Sequence, residues 1–393
     1  MKIKKIYLFA PITNQYGVID YFTEEFANAL LRQGVETKII KADRYNPREF
    51  LNQILTDPPD CTLSFNGLLP DEEGRFLSEV INIPHVAYLT DSPTHYFPLV
   101  RSRNTTICCI DQDFCHTFQN MNFSRVLFLP HAASKNLTPP LEPDYIYDVL
   151  MLNSFIDYEE ARKKWQEKFG LVIGAVLDEA AEWALSDRDI PYMQALVDTL
   201  DKHLKMGKSI DPRNIDFQEL LDSLETFIVG KSRIELLKSI EGASVHIFGS
   251  KPGSKEWKKY LSQYENIHIH ETIPFTQILE LMKRAKIVLN STPQIKRGLH
   301  ERILSSLACG AAVLALDTPY LSEIFKDEED ILLYKPRDWK EVNRKIQVYL
   351  SDESKRQKLV EKGREKVMRF HTWDQRAKTL LTALPEFLSH SSL

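Results

Sequence analysis

The sequence predicts an α/β protein of two parallel-sheet domains, with a block of helices inserted in the second half. Three observations lead there. Short apolar runs alternate with amphipathic stretches from residue 3 to 129 and again from 243 to 370. Alternation of this length builds parallel sheets covered by helices on both faces. Pro139, Pro140 and Pro143 interrupt the pattern between the two blocks and mark a boundary. Residues 157–238 depart from the alternation and read as helix throughout.

In the first block, strands are expected at 3–9, 37–40, 61–65, 85–89, 106–110 and 126–129. Each is a short apolar run bounded by polar or turn-forming residues. Helices are expected between them at 20–33, 47–55, 72–81 and 114–121. The basic start and apolar run 6–11 resemble a secretory leader only weakly. The run is shorter than a leader's apolar region, and no small-residue cleavage site follows. It reads as the first buried strand.

The second block opens with a strand at 148–153. Residues 157–238 then place Leu196, Leu200 and Leu204, and Leu220, Leu221 and Leu224, at helical spacing, which suggests a structural helical layer. Strands resume at 245–248, 267–270, 287–289, 312–316 and 331–334, with helices at 275–285, 299–309, 339–350 and 353–370. The expected domains are 1–140, 141–375 with the helical segment inside it, and a terminal helical piece at 376–393.

The bulk properties narrow the function. A net charge of −5 with acids and bases interspersed argues against a nucleic-acid surface. Five cysteines, an odd number without metal spacing, read as reduced thiols of a cytoplasmic protein. No apolar run is long enough to span a membrane.

The stretch 285–325 is the most informative. An apolar run ends at Asn290 and opens into a loop with Lys296, Arg297 and Gly298. A helix follows with His300, Glu301 and Arg302 in its first turn, then a second apolar strand. Such a turn aims free backbone N–H groups and the positive helix end at an anion. With these cations added, and Lys251 after the 245–248 strand, the unit suits a diphosphate. A histidine there would also make diphosphate binding depend on pH near neutrality.

These residues resemble the C-terminal domain of GT-B glycosyltransferases, in particular the group that includes the spore-maturation protein CgeB. LTDSPTHY (89–96), FLPHAA (128–133), DVLMLNSF (148–155), VHIFGSK (245–251) and FHTWDQRAKTLL (370–381) occur in that family's order. The resemblance implies a GT-B fold: two Rossmann-like domains facing a cleft. The first would be the acceptor side, the second would bind the nucleotide sugar, and the last helix would cross back to the first. It implies transfer of a sugar from a nucleotide-diphosphate donor, UDP-sugar by default, to a protein or surface-glycan acceptor. No metal or other cofactor is expected. The donor-binding residues would be Gly17, Lys251, Asn290, Lys296, Arg297, Gly298, His300, Glu301 and Arg302. Asp91, after the 85–89 strand, is the candidate general base or else a turn cap; His131 would bond a sugar hydroxyl or phosphate.

One position departs from the family. Ser305 stands where many retaining members carry a ribose-binding glutamate, and Glu301 is the substitute on hand. Asp111-Gln112-Asp113 and Asp187-Arg188-Asp189 look like the metal motif of a different glycosyltransferase fold. The first precedes a helix, where aspartate caps. Two rival readings stay open: a nucleotide-sugar epimerase on the same fold, and a non-catalytic nucleotide-sugar-binding relative.

Overall fold

The computed structural model describes residues 2–11, 15–41, 47–208, 210, 211, 213 and 215–389. The first block folds as β1 (Lys5–Phe9), α1 (Val18–Arg32), β2 (Glu36–Ile40), α2 (Pro47–Leu55), β3 (Cys61–Phe65), α3 (Leu77–Val80), β4 (His85–Leu89), β5 (Thr105–Cys109), α4 (Gln112–Asn120) and β6 (Val126–Phe128). Its strands form one parallel sheet in the order β2-β1-β3-β4-β5-β6. The central strands β3, β4 and β5 are buried along their whole length, as strands of a sheet covered on both faces are.

The second block begins with β7 (Tyr147–Leu152), followed by the helices α5 (Tyr158–Ser186), α6 (Tyr192–Lys205) and α7 (Phe217–Ser239). It continues as β8 (Val245–Ser250), α8 (Lys258–Leu261), β9 (Ile267–Glu271), α9 (Phe275–Lys283), β10 (Ala285–Asn290), α10 (Glu301–Cys309), β11 (Ala312–Leu316), α11 (Pro319–Ile324), β12 (Leu332–Tyr334), α12 (Trp339–Ser351), α13 (Glu353–Phe370) and α14 (Trp373–Ser389). Its strands form a second parallel sheet, β12-β11-β10-β7-β8-β9. The predicted fold class of two parallel sheets with an inserted helical block is the one observed.

Two local expectations change. The helix expected over 72–81 shrinks to α3, because the Asp71 carboxylate accepts from the N–H groups of Glu73 and Arg75 and holds a turn instead. Helix α10 starts at Glu301 rather than 299, because His300 caps it through its own ring.

Register aligns the carboxyl ends that matter. Leu89 pairs with Cys109 across β4 and β5, and Leu152 pairs with Phe248 across β7 and β8. The loops after β3, β4 and β6 and those after β7, β8 and β10 therefore gather at two facing edges. Ligands in open parallel sheets collect at such edges.

Three contacts lock the halves together. The first is backbone on backbone: Gly298 bridges Asp111, and a Cβ built on Gly298 would lie 2.2 Å from the Ile110 carbonyl oxygen. Asp111 is buried there, taking the Asp113 N–H at 2.7 Å and the Arg297 N–H at 2.8 Å. The second is α14. Its Trp373 packs among Phe22, Phe26, Phe65 and Tyr88, and its Arg376 donates to the Pro130 and His131 carbonyls. The third is α7, whose early residues Leu224 and Ile228 belong to a large core that joins residues of both sheets. Its late residues Ile234 and Leu237 belong to a core of the second sheet.

Gly298 has no room for a side chain. Gly298→Ala should lower unfolding stability by about 1–3 kcal/mol, the cost of overpacking. Urea denaturation measures this, and an unchanged midpoint would contradict the backbone contact.

Candidate active site

A cleft of about 710 Å³ opens between the two sheet edges. One wall carries Tyr16, Phe22, Asn66, Thr90, Asp91 and His131; the other carries Asn153, Gly249, Thr292, His300, Glu301, Arg302 and Arg233.

The second wall is cationic. His300 Nδ1 accepts the Arg302 N–H at 3.1 Å and so caps α10. The side chain of Arg302 reaches Asn153, whose Oδ1 is 3.3 Å from Nη1. Turned over, the same amide oxygen accepts from Arg233 Nη2 at 2.9 Å, so Asn153 sits between the two guanidiniums. Arg233 also donates to the Ser154 carbonyl. Burial lowers the pKa of both arginines, that of Arg233 to about 9 with the Arg302 charge contributing. Among the described residues neither forms a salt bridge, although Glu301 lies close enough to favour the charge on Arg302. Burial pushes the Glu301 carboxyl up, and its Oε1 has no hydrogen-bond partner. Ser305, on the next turn, bonds with Glu301.

The first wall holds the candidate base. Asn66 Nδ2 donates to Asp91 Oδ2 at 2.6 Å, and Asn66 Oδ1 accepts from the Thr90 N–H and hydroxyl at 2.9 and 3.0 Å. Asn66 adopts φ 60°, a left-handed conformation that asparagine tolerates. Solvent reaches Asp91 through the cleft mouth, yet protein crowds it on the other sides, and this burial raises its pKa. His131 is buried with its Nδ1 unpartnered, and its ring lies 5.7 Å from that of His300. Burial, then the Arg376 charge, pushes His131 down to about 3. His300 is lowered too, by burial, then by Arg302, His131 and Arg233.

The structure thus brings Asp91, His131, His300, Glu301 and Arg302 together. Gly17, at φ 77°, opens α1 beside Tyr16 and Val18 of the cleft wall. The other predicted residues lie outside the cleft lining. Lys296 turns the opposite way and donates to the Asp187 and Ala184 carbonyls at 2.8 and 3.3 Å, at the end of α5. Arg297 faces Asp113 at 3.4 Å, and Gly298 serves the junction between the halves. Exposed Lys251 pairs with Glu256 at 4.0 Å. Buried Asn290 donates to Thr292 at 2.9 Å, one step behind the wall.

Sequence reasoning missed Arg233, Asn153, Asn66 and Gly249. Arg233 stands among other charged residues of α7, Lys231, Glu235 and Lys238, a signal hidden by reading the segment as a structural layer. Gly249 lies where β8 meets β7: its Cβ would stand 1.7 Å from the Asn153 carbonyl oxygen. The aspartate pairs are structural: Asp111 caps α4, and Asp187 holds a turn by accepting from Asp189 and Ile190.

Two sheets facing a cleft across their carboxyl edges, joined by a returning C-terminal helix, make the fold GT-B. Residues 232–382 match the family model described as glycosyl transferase-like. Among solved structures, HepE of Anabaena in complex with UDP-glucose is 10% identical, with a TM-score of 0.56 over 97% of this chain and 99% of that one. A glycosyltransferase of Rickettsia africae is 12% identical, with a TM-score of 0.57 over 99% of each chain. AviGT4, a glycosyltransferase of avilamycin A biosynthesis, is 11% identical, with a TM-score of 0.55 over 98% of each. No curated protein matches the sequence. No helix among the described residues is long and apolar enough to cross a membrane.

Burial, with the Arg302, His131 and Arg233 charges adding to it, lowers His300 away from the pH switch expected of it. Both cleft histidines should stay neutral from about pH 5 to pH 8, where a free histidine would titrate. NMR of ¹⁵N-labelled histidine tests this: flat ring shifts for His131 and His300 are expected, and a midpoint near the free value would contradict it.

Proposed function

We propose that the protein transfers a sugar from a nucleotide-diphosphate donor, a UDP-sugar, to a hydroxyl of a protein or surface-glycan acceptor in the cytoplasm, without a metal. The observation that carries this is a pair of guanidiniums without a salt bridge, buried Arg233 and half-buried Arg302, at the N-terminus of α10. Two desolvated cations beside free helix N–H groups match a dianion. The complex of HepE with UDP-glucose supports the choice of uridine, and the order of sequence motifs supports the closer likeness to CgeB.

In this reading the acceptor hydroxyl gives its proton to Asp91 as its oxygen bonds the sugar's anomeric carbon. The bond from that carbon to the diphosphate oxygen breaks, and UDP leaves with the electron pair. Burial makes Asp91 a stronger base than a free carboxylate, and Asn66 holds it in place. Arg302, Arg233 and the α10 N–H groups stabilise the charge that grows on the leaving diphosphate. The unpartnered His131 Nδ1 and Glu301 Oε1 meet hydroxyls of the donor. A base at this position implies inversion at the anomeric carbon.

Arg302→Ala and Arg233→Ala should each weaken UDP binding about ten- to a hundredfold, the worth of a charge-assisted contact, and leave uridine binding unchanged. Lys164→Ala, exposed on α5, should change neither. Calorimetry decides; equal loss for both ligands, or no loss, would contradict the diphosphate assignment.

Asp91→Asn should keep UDP affinity and lower transfer by roughly two to four orders of magnitude. The assay is run in excess chelator, where wild-type turnover should persist. Unchanged turnover in the variant would reduce Asp91 to a turn residue. UDP binding without turnover of any donor would favour a non-catalytic relative.

A further inference from the structure

A second cavity, of about 450 Å³, opens beside the cleft and shares Thr90, Asp91, Tyr96 and His300 with it. The volume suits a small polar ligand. Three carboxylates line it, Asp91 from the first domain and Asp222 and Glu225 from α7, and no lysine or arginine does. Asp222 Oδ1 accepts from the Thr94 hydroxyl at 2.5 Å, and its other oxygen lies 3.7 Å from His95 Nδ1. Glu225 Oε2 accepts from the Tyr192 hydroxyl at 3.0 Å, and that hydroxyl in turn meets Ser92 Oγ at 3.0 Å. On the wall between the two cavities, Gln294 Oε1 is shut away from solvent with no partner. The carboxylates and this amide oxygen are hydrogen-bond acceptors, and the net charge is negative. Such a pocket asks for a ligand rich in donors and positively charged.

The helix that supplies these groups also explains the division of labour. Asp222, Glu225, Val229 and Arg233 follow one another at three- and four-residue steps, so they share a face of α7. The acids reach the second cavity and the arginine reaches the first. One inserted helix thus supplies a cation to the first cavity and carboxylates to the second, and the carboxylates repel a misplaced diphosphate.

We propose that the second cavity is the acceptor subsite and that it takes an amino sugar, a polyhydroxylated ring carrying an ammonium group recognised by Asp222 and Glu225. This rests on the glycosyl-transfer reading above. Its position beside Asp91 puts a ring hydroxyl of the acceptor within reach of the base while the ammonium faces α7. Burial raises the Glu225 carboxyl, and an ammonium beside it would favour the charged form.

The test is a binding titration of methyl glucosaminide against methyl glucoside, with and without UDP, on the wild type, Asp222→Asn, Glu225→Gln and the double variant. The amine should bind about tenfold tighter to the wild type, as a charge-assisted contact provides. That preference should shrink in each single variant and disappear in the double one, while UDP affinity stays constant and certifies the fold. Equal affinity in the wild type, a preference that survives in the double variant, or no binding of either glycoside would overturn the proposal. Failure of UDP to bind the wild type would sink the donor reading instead, and the UDP-free titration would still decide the amine preference.

Discussion

Two guanidiniums held side by side, one buried and one half-buried, are the constraint on which this structure turns. Arg302 comes from the first turn of α10 and Arg233 from the last part of α7, and the Asn153 amide lies between them. Placing like charges together where water is largely shut out is costly, and proteins keep such an arrangement where a ligand repays it. The effect spreads outward. The same charges help keep His131 and His300 neutral, so these rings offer hydrogen bonds rather than charge.

The rest of the fold holds that pair opposite Asp91. The junction at Gly298 and Asp111 sets how closely the loop before α10 approaches the first sheet. The returning helix α14 pins the loop that carries His131 through Arg376. Helix α7 belongs to both cores and lines both cavities, so the insertion is part of the cleft and not only a layer outside it.

Much of this was legible in the sequence. Unbroken apolar runs such as those of β4 and β11 have one stable use, a parallel sheet covered on both faces. The Gly-x-His-Glu-Arg turn located the helix start at which Glu301 and Arg302 meet the cleft. Direction was not legible. Lys296 and Arg302 lie in the same short stretch, yet one ammonium bonds carbonyls of α5 while the other side chain faces the cleft. Gly298 was expected in the donor-binding turn; its neighbour is the Ile110 backbone carbonyl of the first domain. Arg233 was hidden among the other charged residues of α7, and periodicity alone cannot show that the two ends of the helix lie in different cores.

The most direct measurement is a crystal structure with UDP bound. The account predicts the phosphates at the N-terminus of α10, within hydrogen-bonding distance of both Arg302 and Arg233. Phosphates bound instead at Lys251, with the two guanidiniums left facing solvent, would contradict it.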